Sequence, residues 1–268
     1  MSDLNRDIFY KHSGRMGLAV PAILIIGLPA VAVLSAIYSY IVVYCPVIGY
    51  VNILFLGGYI VAGGFVLAAL AKISKCRSPM ILFLLGLVAG LVGLYFAWVF
   101  FIHAYARYAG QPLPIIPLVL SPAGIWEMTK AINGDGWWGP SGIAQWALVS
   151  IEAVAIVGGL TLLTMNSIDQ EAFCEDCGTW CDSFETMYLA MPAEIAGKKS
   201  SELNHLELLA LDEVDTSTYP RIDAEVLQCS GCKKTQAIRF KKVHQYMDEG
   251  QLKESSEAIP GILMQRSS

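Results

Sequence analysis

Residues 79–105 read PMILFLLGLVAGLVGLYFAWVFFIHAY, with no Lys, Arg, Asp or Glu among them. About 20 apolar residues in helix cross a hydrocarbon layer of about 30 Å, so this run predicts a membrane span. Residues 17–44, 47–71 and 143–165 qualify on the same ground. The first of these exceeds the apolar core of a signal peptide, about 7–15 residues. It reads as a retained span, bent near Pro21 and Pro29. Composition agrees: of 268 residues, 55% are apolar and 15% charged, and the mean hydropathy is +0.52. A soluble domain carries about 25% charged residues. An ordinary soluble domain and a disordered chain are both excluded.

Charge divides the chain in two. Residues 1–165 carry eight Lys/Arg and five Asp/Glu, net +3; residues 166–268 carry ten and eighteen, net −8. The break predicts a four-span transmembrane helical domain over 1–165 and a soluble domain over 166–250. The Ser-, Glu- and Lys-containing tail over 251–268 is expected to be disordered. So acidic a domain argues against nucleic acid as a partner, because phosphate binding needs a basic surface.

Lys and Arg in short loops mark the cytosolic side of a membrane. Arg6, Lys11 and Arg15 precede the first span, and Lys72, Lys75 and Arg77 join the second to the third. The link around Cys45 and Pro46 carries no charge. Both termini are therefore expected in the cytosol, in a multi-pass protein of a plasma or inner membrane. The link over 106–142 is expected outside, where Trp98, Trp126, Trp137, Trp138 and Trp146 gather at the interface. Pro112, Pro114, Pro117 and Pro122 exclude a regular helix over 111–122. Ser121 and Pro122 then start a short helix that Gly134 ends, with Ile125, Met128 and Ile132 on one face in the interface. A turn is expected over 135–140.

Two features inside the spans invite function. Glu152 sits in the middle third of the fourth span, where an acid costs about 2.5–3.5 kcal/mol on insertion scales. It must be paired or protonated, and His103 near the outer end of the third span is the natural partner. Asn52 and Gln145 add polarity nearby. Gly86 and Gly90 form a G-x-x-x-G patch that lets helices approach closely. It serves packing within one bundle or pairing of two copies into a homo-oligomer.

Of seven cysteines, Cys174-Glu-Asp-Cys177 and Cys229-Ser-Gly-Cys232 make two C-x-x-C pairs. Two such pairs in a cytosolic domain read as a closed tetrahedral zinc site. A redox-active pair and a four-thiolate iron site are the alternatives. Cys181 is a spare thiol that is either buried or a substitute ligand. His205 and His244 read as surface or satisfied residues. The stretch Cys174-x-x-Cys177-Gly178 resembles the knuckle of zinc ribbons and rubredoxin-like folds. The second pair is similar, with Lys233 in place of the glycine. The resemblance covers residues 174–243 and implies two hairpin tips joined by a structural zinc. Strands are expected over 179–189, 224–228 and 235–243. The long separation of the pairs implies an insert, with a short helix over 200–211 burying Leu203, Leu206 and Leu209 or Ala210.

No nucleophile–base pair, phosphate loop or H-E-x-x-H motif is visible. The reading is a non-enzymatic membrane protein, with the question of an enzyme left open. Its zinc-ribbon domain would act as an adaptor for an unidentified protein partner or in complex assembly. The alternative is a small transporter, channel or sensor using Glu152 and His103.

Overall fold

The computed structural model describes residues 9–45, 50–136, 141–248 and 251–264. Of the turn expected over 135–140, residues 137–140 lie outside them. The chain forms two compact units. One covers Met16–Ser167; the other joins the described residues up to Arg15 to those from Ile168 onward.

The first unit is helical. Its four long helices are α1 (Ala19–Tyr44), α2 (Tyr50–Ile73), α3 (Pro79–Tyr108) and α6 (Ile143–Met165), each apolar and long enough to cross a membrane. Between α3 and α6 lie α4 (Ile115–Val119) and α5 (Pro122–Asp135). The bend expected in α1 is a π turn over Ile23–Gly27, where Leu28 N–H donates to Ile23 O. Pro29 lacks an N–H and its ring crowds the carbonyl four residues back, so one wider turn lets the helix continue. Ser78 caps α3, its Oγ accepting from Ile81 N, and Pro79 fills the first position.

Small residues and hydroxyls set the helix contacts. A Cβ on Gly86 would lie 2.9 Å from Thr161 Cα, and one on Gly90 2.9 Å from Val157 Cα. The G-x-x-x-G patch thus seats α3 against the backbone of α6 in the same chain. Ser39 Oγ donates to Ala97 O at 2.8 Å, tying α1 to α3. Ser35 Oγ lies 2.9 Å from Tyr59 Oη and 3.1 Å from Gly93 O. Such hydrogen bonds count between membrane helices because hydrocarbon supplies no competing partner.

The link after α3 differs from expectation in two ways. Residues 115–119 do form one helical turn, because Pro114 and Pro117 both fall where their missing N–H groups would be unpaired anyway. The following helix begins with Ser121 accepting from Gly124 N at 3.2 Å, but it ends at Gly136 rather than Gly134. Gly136 takes φ +81°, a conformation open to glycine. Ile125 is buried with Val99, Ile102 and Leu118, so the helix packs on the end of α3.

The second unit holds two antiparallel sheets. Strands β1 (Phe173–Cys174) and β2 (Thr179–Trp180) form a small hairpin. Strands β3 (Asp182–Ala190), β4 (Arg221–Gln228), β5 (Gln236–Asp248) and β6 (Gln251–Met264) form a sheet in that order. Its core is Leu189, Ile222, Ile238, Phe240, Ile259 and Leu263, with Leu203 and Leu208 from the insert. The insert forms a 3-10 turn over Ser200–Glu202 and one helical turn, α8 (His205–Leu208), after α7 (Ala193–Ala196). It buries Leu203, His205 and Leu208, whereas Leu206 and Leu209 are exposed, because the helix is too short for the expected three-residue spacing. His205 sits edge-on between Phe9 and Phe240.

Two boundaries move. Of the segment 251–268 expected to be disordered, residues 251–264 are strand β6, paired with β5 over most of its length, and residues 265–268 lie outside the described residues. Residues expected to belong with the first span instead close the sheet unit. Phe9 bridges Leu263, Tyr10 N–H donates to Ile262 O at 2.8 Å, and His12 Nε2 lies 3.1 Å from Ile168 O.

Glu225 and Arg239 face each other across β4 and β5, and Lys241 also bonds the Glu225 carboxylate. Burial pushes this carboxyl up, but Lys241 and Arg239 together outweigh it and hold it below its ordinary value. Its contribution is therefore present above the unfolded carboxylate value, about 4.3, and is lost as pH falls through the lower folded value. Glu225→Gln should lower stability by about 1 kcal/mol at neutral pH. Denaturant midpoints should give a difference that is flat above pH 5 and shrinks only below about 4.3.

Candidate metal centre

Two tight turns bring the C-x-x-C pairs together. The first lies at the tip of the β1–β2 hairpin, where Gly178 N–H donates to Cys174 O at 2.8 Å. The second lies between β4 and β5, where Lys233 N–H donates to Cys229 O at 3.0 Å. The two turns share a backbone path: Gly178 has φ +64° and Lys233 φ +58°. The lysine thus adopts the left-handed conformation that glycine supplies freely in the first turn. That costs an L-residue about 1–2 kcal/mol. Lys233→Gly should raise the stability of this unit by about 1 kcal/mol, read as a higher denaturant midpoint with metal content unchanged.

The four sulfurs of Cys174, Cys177, Cys229 and Cys232 all lie within 4.8 Å of one another. Cys174 Sγ and Cys232 Sγ are 3.6 Å apart. A tetrahedral ion with metal–sulfur bonds of about 2.3 Å places its ligands about 3.8 Å apart, so the cluster has the dimensions of a metal cage. Gly231 allows the second turn to close over the first, since a Cβ there would lie 3.1 Å from Cys177 Sγ. Cys174 and Cys229 are buried, Cys232 is half-buried and Cys177 is exposed.

The local dipoles prepare thiolates. The Cys232 amide, then that of Gly231, holds the Cys229 thiol down to about 6 against the opposing effect of burial. The Lys234 amide likewise lowers Cys232. These negative sulfurs push the neighbouring Cys177 thiol up to about 12, Cys232 foremost and Cys229 next. Four crowded sulfurs cannot all ionise alone; a divalent cation removes that conflict. Cys181 is not among the four. It is buried with Cys174, Leu227, Cys229 and Ala237, and its thiol is pushed up to about 12, chiefly by burial.

The other anticipated pair does not form. Glu152 Oε1 accepts from Tyr38 Oη at 2.7 Å. His103 Nδ1 instead lies 2.9 Å from Tyr40 Oη. Tyr95 Oη, also on α3, donates to Val119 O at 2.8 Å. Tyr38 and Asn133 are the residues the sequence reading passed over. The signal for Asn133 was present: Ile125, Thr129 and Asn133 are all buried, four residues apart on one stripe of α5. Compared with protein-family models, with curated proteins and with solved structures, the chain shows no match.

Proposed function

We propose that this is a non-enzymatic membrane protein whose metal-bound, ribbon-like domain engages a protein partner in assembling a membrane complex. The observation that carries the reading is the closed donor set. Four thiols converge from two hairpin tips and leave a tetrahedral ion no open position for substrate, so the ion is structural. Zinc suits the set, having four-coordination with thiolates and no redox chemistry. All seven cysteines are free, which fits a reducing compartment. The bonding of residues 9–12 to the sheet unit supports a reading in which both ends of the four spans share one side. The Lys and Arg pattern favours the cytosol as that side.

The β5–β6 hairpin supports a docking role. Beyond Val243, β5 pairs with β6 alone. On that arm Tyr246, Met247 and Leu252 are 48%, 70% and 66% exposed. The test is purification of the tagged full chain from native membranes, with zinc and iron measured on the same sample. A stoichiometric partner and about one zinc per chain are expected. A Met247→Glu/Leu252→Glu variant should lose the partner and keep the metal. Iron in place of zinc, or a partner retained when the ribbon is destroyed by Cys229→Ser, would sink the reading.

A further inference from the structure

The helical unit holds a cavity of about 30 Å³ lined by Tyr38, Ser39, Trp98, Asn133, Gln145 and Glu152 among others. One water needs about 10–15 Å³ measured this way, so the space suits two or three water-sized bodies and excludes an organic molecule. Its polar lining is lopsided. Tyr38 has given its hydroxyl hydrogen to Glu152, and Ser39 has given its own to Ala97 O. Both hydroxyls are left with lone pairs only. Asn133 and Gln145 are 0% and 3% exposed, and Asn133 Oδ1 and Gln145 Oε1 are buried without a hydrogen-bond partner. Asn133 Nδ2 is the one buried lining donor left unpaired among the described residues. Among the described residues no Lys, Arg or His forms an ion pair with Glu152.

We propose that this cavity binds a monovalent cation, held by the Glu152 carboxylate and the side-chain oxygens of Asn133, Gln145, Tyr38 and Ser39. The excess of acceptors repels an anion. Hard oxygen donors suit an alkali ion or ammonium rather than a thiophilic metal. One carboxylate balances one positive charge, whereas a divalent ion would leave a net charge in a low-dielectric bundle. The same cation satisfies two buried amide oxygens that otherwise lack partners, a deficiency that native interiors rarely keep. This assignment stands apart from the metal-bound domain and does not depend on it.

The test uses the full chain in lipid nanodiscs. LiCl, NaCl, KCl and NH4Cl are each titrated against choline chloride at constant ionic strength, with thermal unfolding of the helical unit as the readout. At least one small cation should raise Tm saturably, and choline should not. Glu152→Gln should abolish the shift, and Gln145→Leu should raise the half-saturating concentration by about tenfold or more, the worth of a contact to a charge. If Glu152→Gln does not fold, Asn133→Ala and Gln145→Leu decide: weaker half-saturation supports the site, and unchanged half-saturation overturns it. A response indistinguishable from choline for all four salts overturns it too, leaving a water-filled cavity.

Discussion

Cys229→Ser is expected to unfold the sheet unit while leaving the helices in place. Cys229 is fully buried and its sulfur belongs to the four-thiol cluster that fastens the β1–β2 tip to the β4–β5 turn. Structural zinc contributes about 10–16 kcal/mol of apparent binding energy at neutral pH, against a typical total stability of about 5–15 kcal/mol for a domain. Loss of a structural zinc from this cluster would therefore exceed what the small core around Phe240 and Ile222 can offset. Bound metal should fall from about one ion per chain to almost none. Proteolysis should then cut within residues 168–264, and far-UV dichroism should lose its strand component but keep its helical one. A strong chelator should reproduce the effect on the unaltered chain. A Cys229→Ser protein that folds and holds its metal normally would remove the metal centre from the account of this domain.

The second large effect lies in the helical unit. Gly86→Leu combined with Gly90→Leu should separate α3 from α6. The obstructing atoms are the backbone of Thr161 and Val157, which cannot rotate aside as a side chain can. Overpacking costs about 1–3 kcal/mol per site, and two sites on one face act on the same pair of helices. The expected outcome is a lower Tm and an aggregated or broadened elution profile in mild detergent. Gly58→Ala is the matched control, because a Cβ there meets nothing within 4 Å. It should leave Tm unchanged or slightly raised, alanine being the better helix former. If the double variant changed only oligomeric state and left Tm intact, the patch would be a surface between copies instead.

The long spans were legible because apolar runs without charge have few other uses. The fourth, residues 143–165, matches α6 residue for residue, and the third extends three residues past expectation to Tyr108. The cysteine pairs were legible because their spacing fixes a turn. Strand β6 was hidden by its own edge position. Lys253, Glu254 and Glu257 on an outer strand discourage pairing with other chains, yet the same residues make a segment look disordered. The partner of Glu152 was hidden for a geometric reason. Sequence gives depth along a helix but not which way a neighbouring helix turns its side chains. Tyr38 and Tyr40 are two residues apart on α1, about 200° around its axis at 3.6 residues per turn. Glu152 and His103 therefore meet different faces of that helix and form two separate pairs.

The bridge between Phe9 and Leu263 has a consequence for biogenesis. Four long apolar helices separate the two residues along the chain. At about 5–20 residues per second, Phe9 waits tens of seconds for its strand partner, while all four spans are inserted in between. The sheet unit therefore cannot close until Leu263 has been made and can reach Phe9. Until then the end of β6 lacks its bridge to Phe9. Closure of this sheet thus comes only after all four long apolar helices have been made.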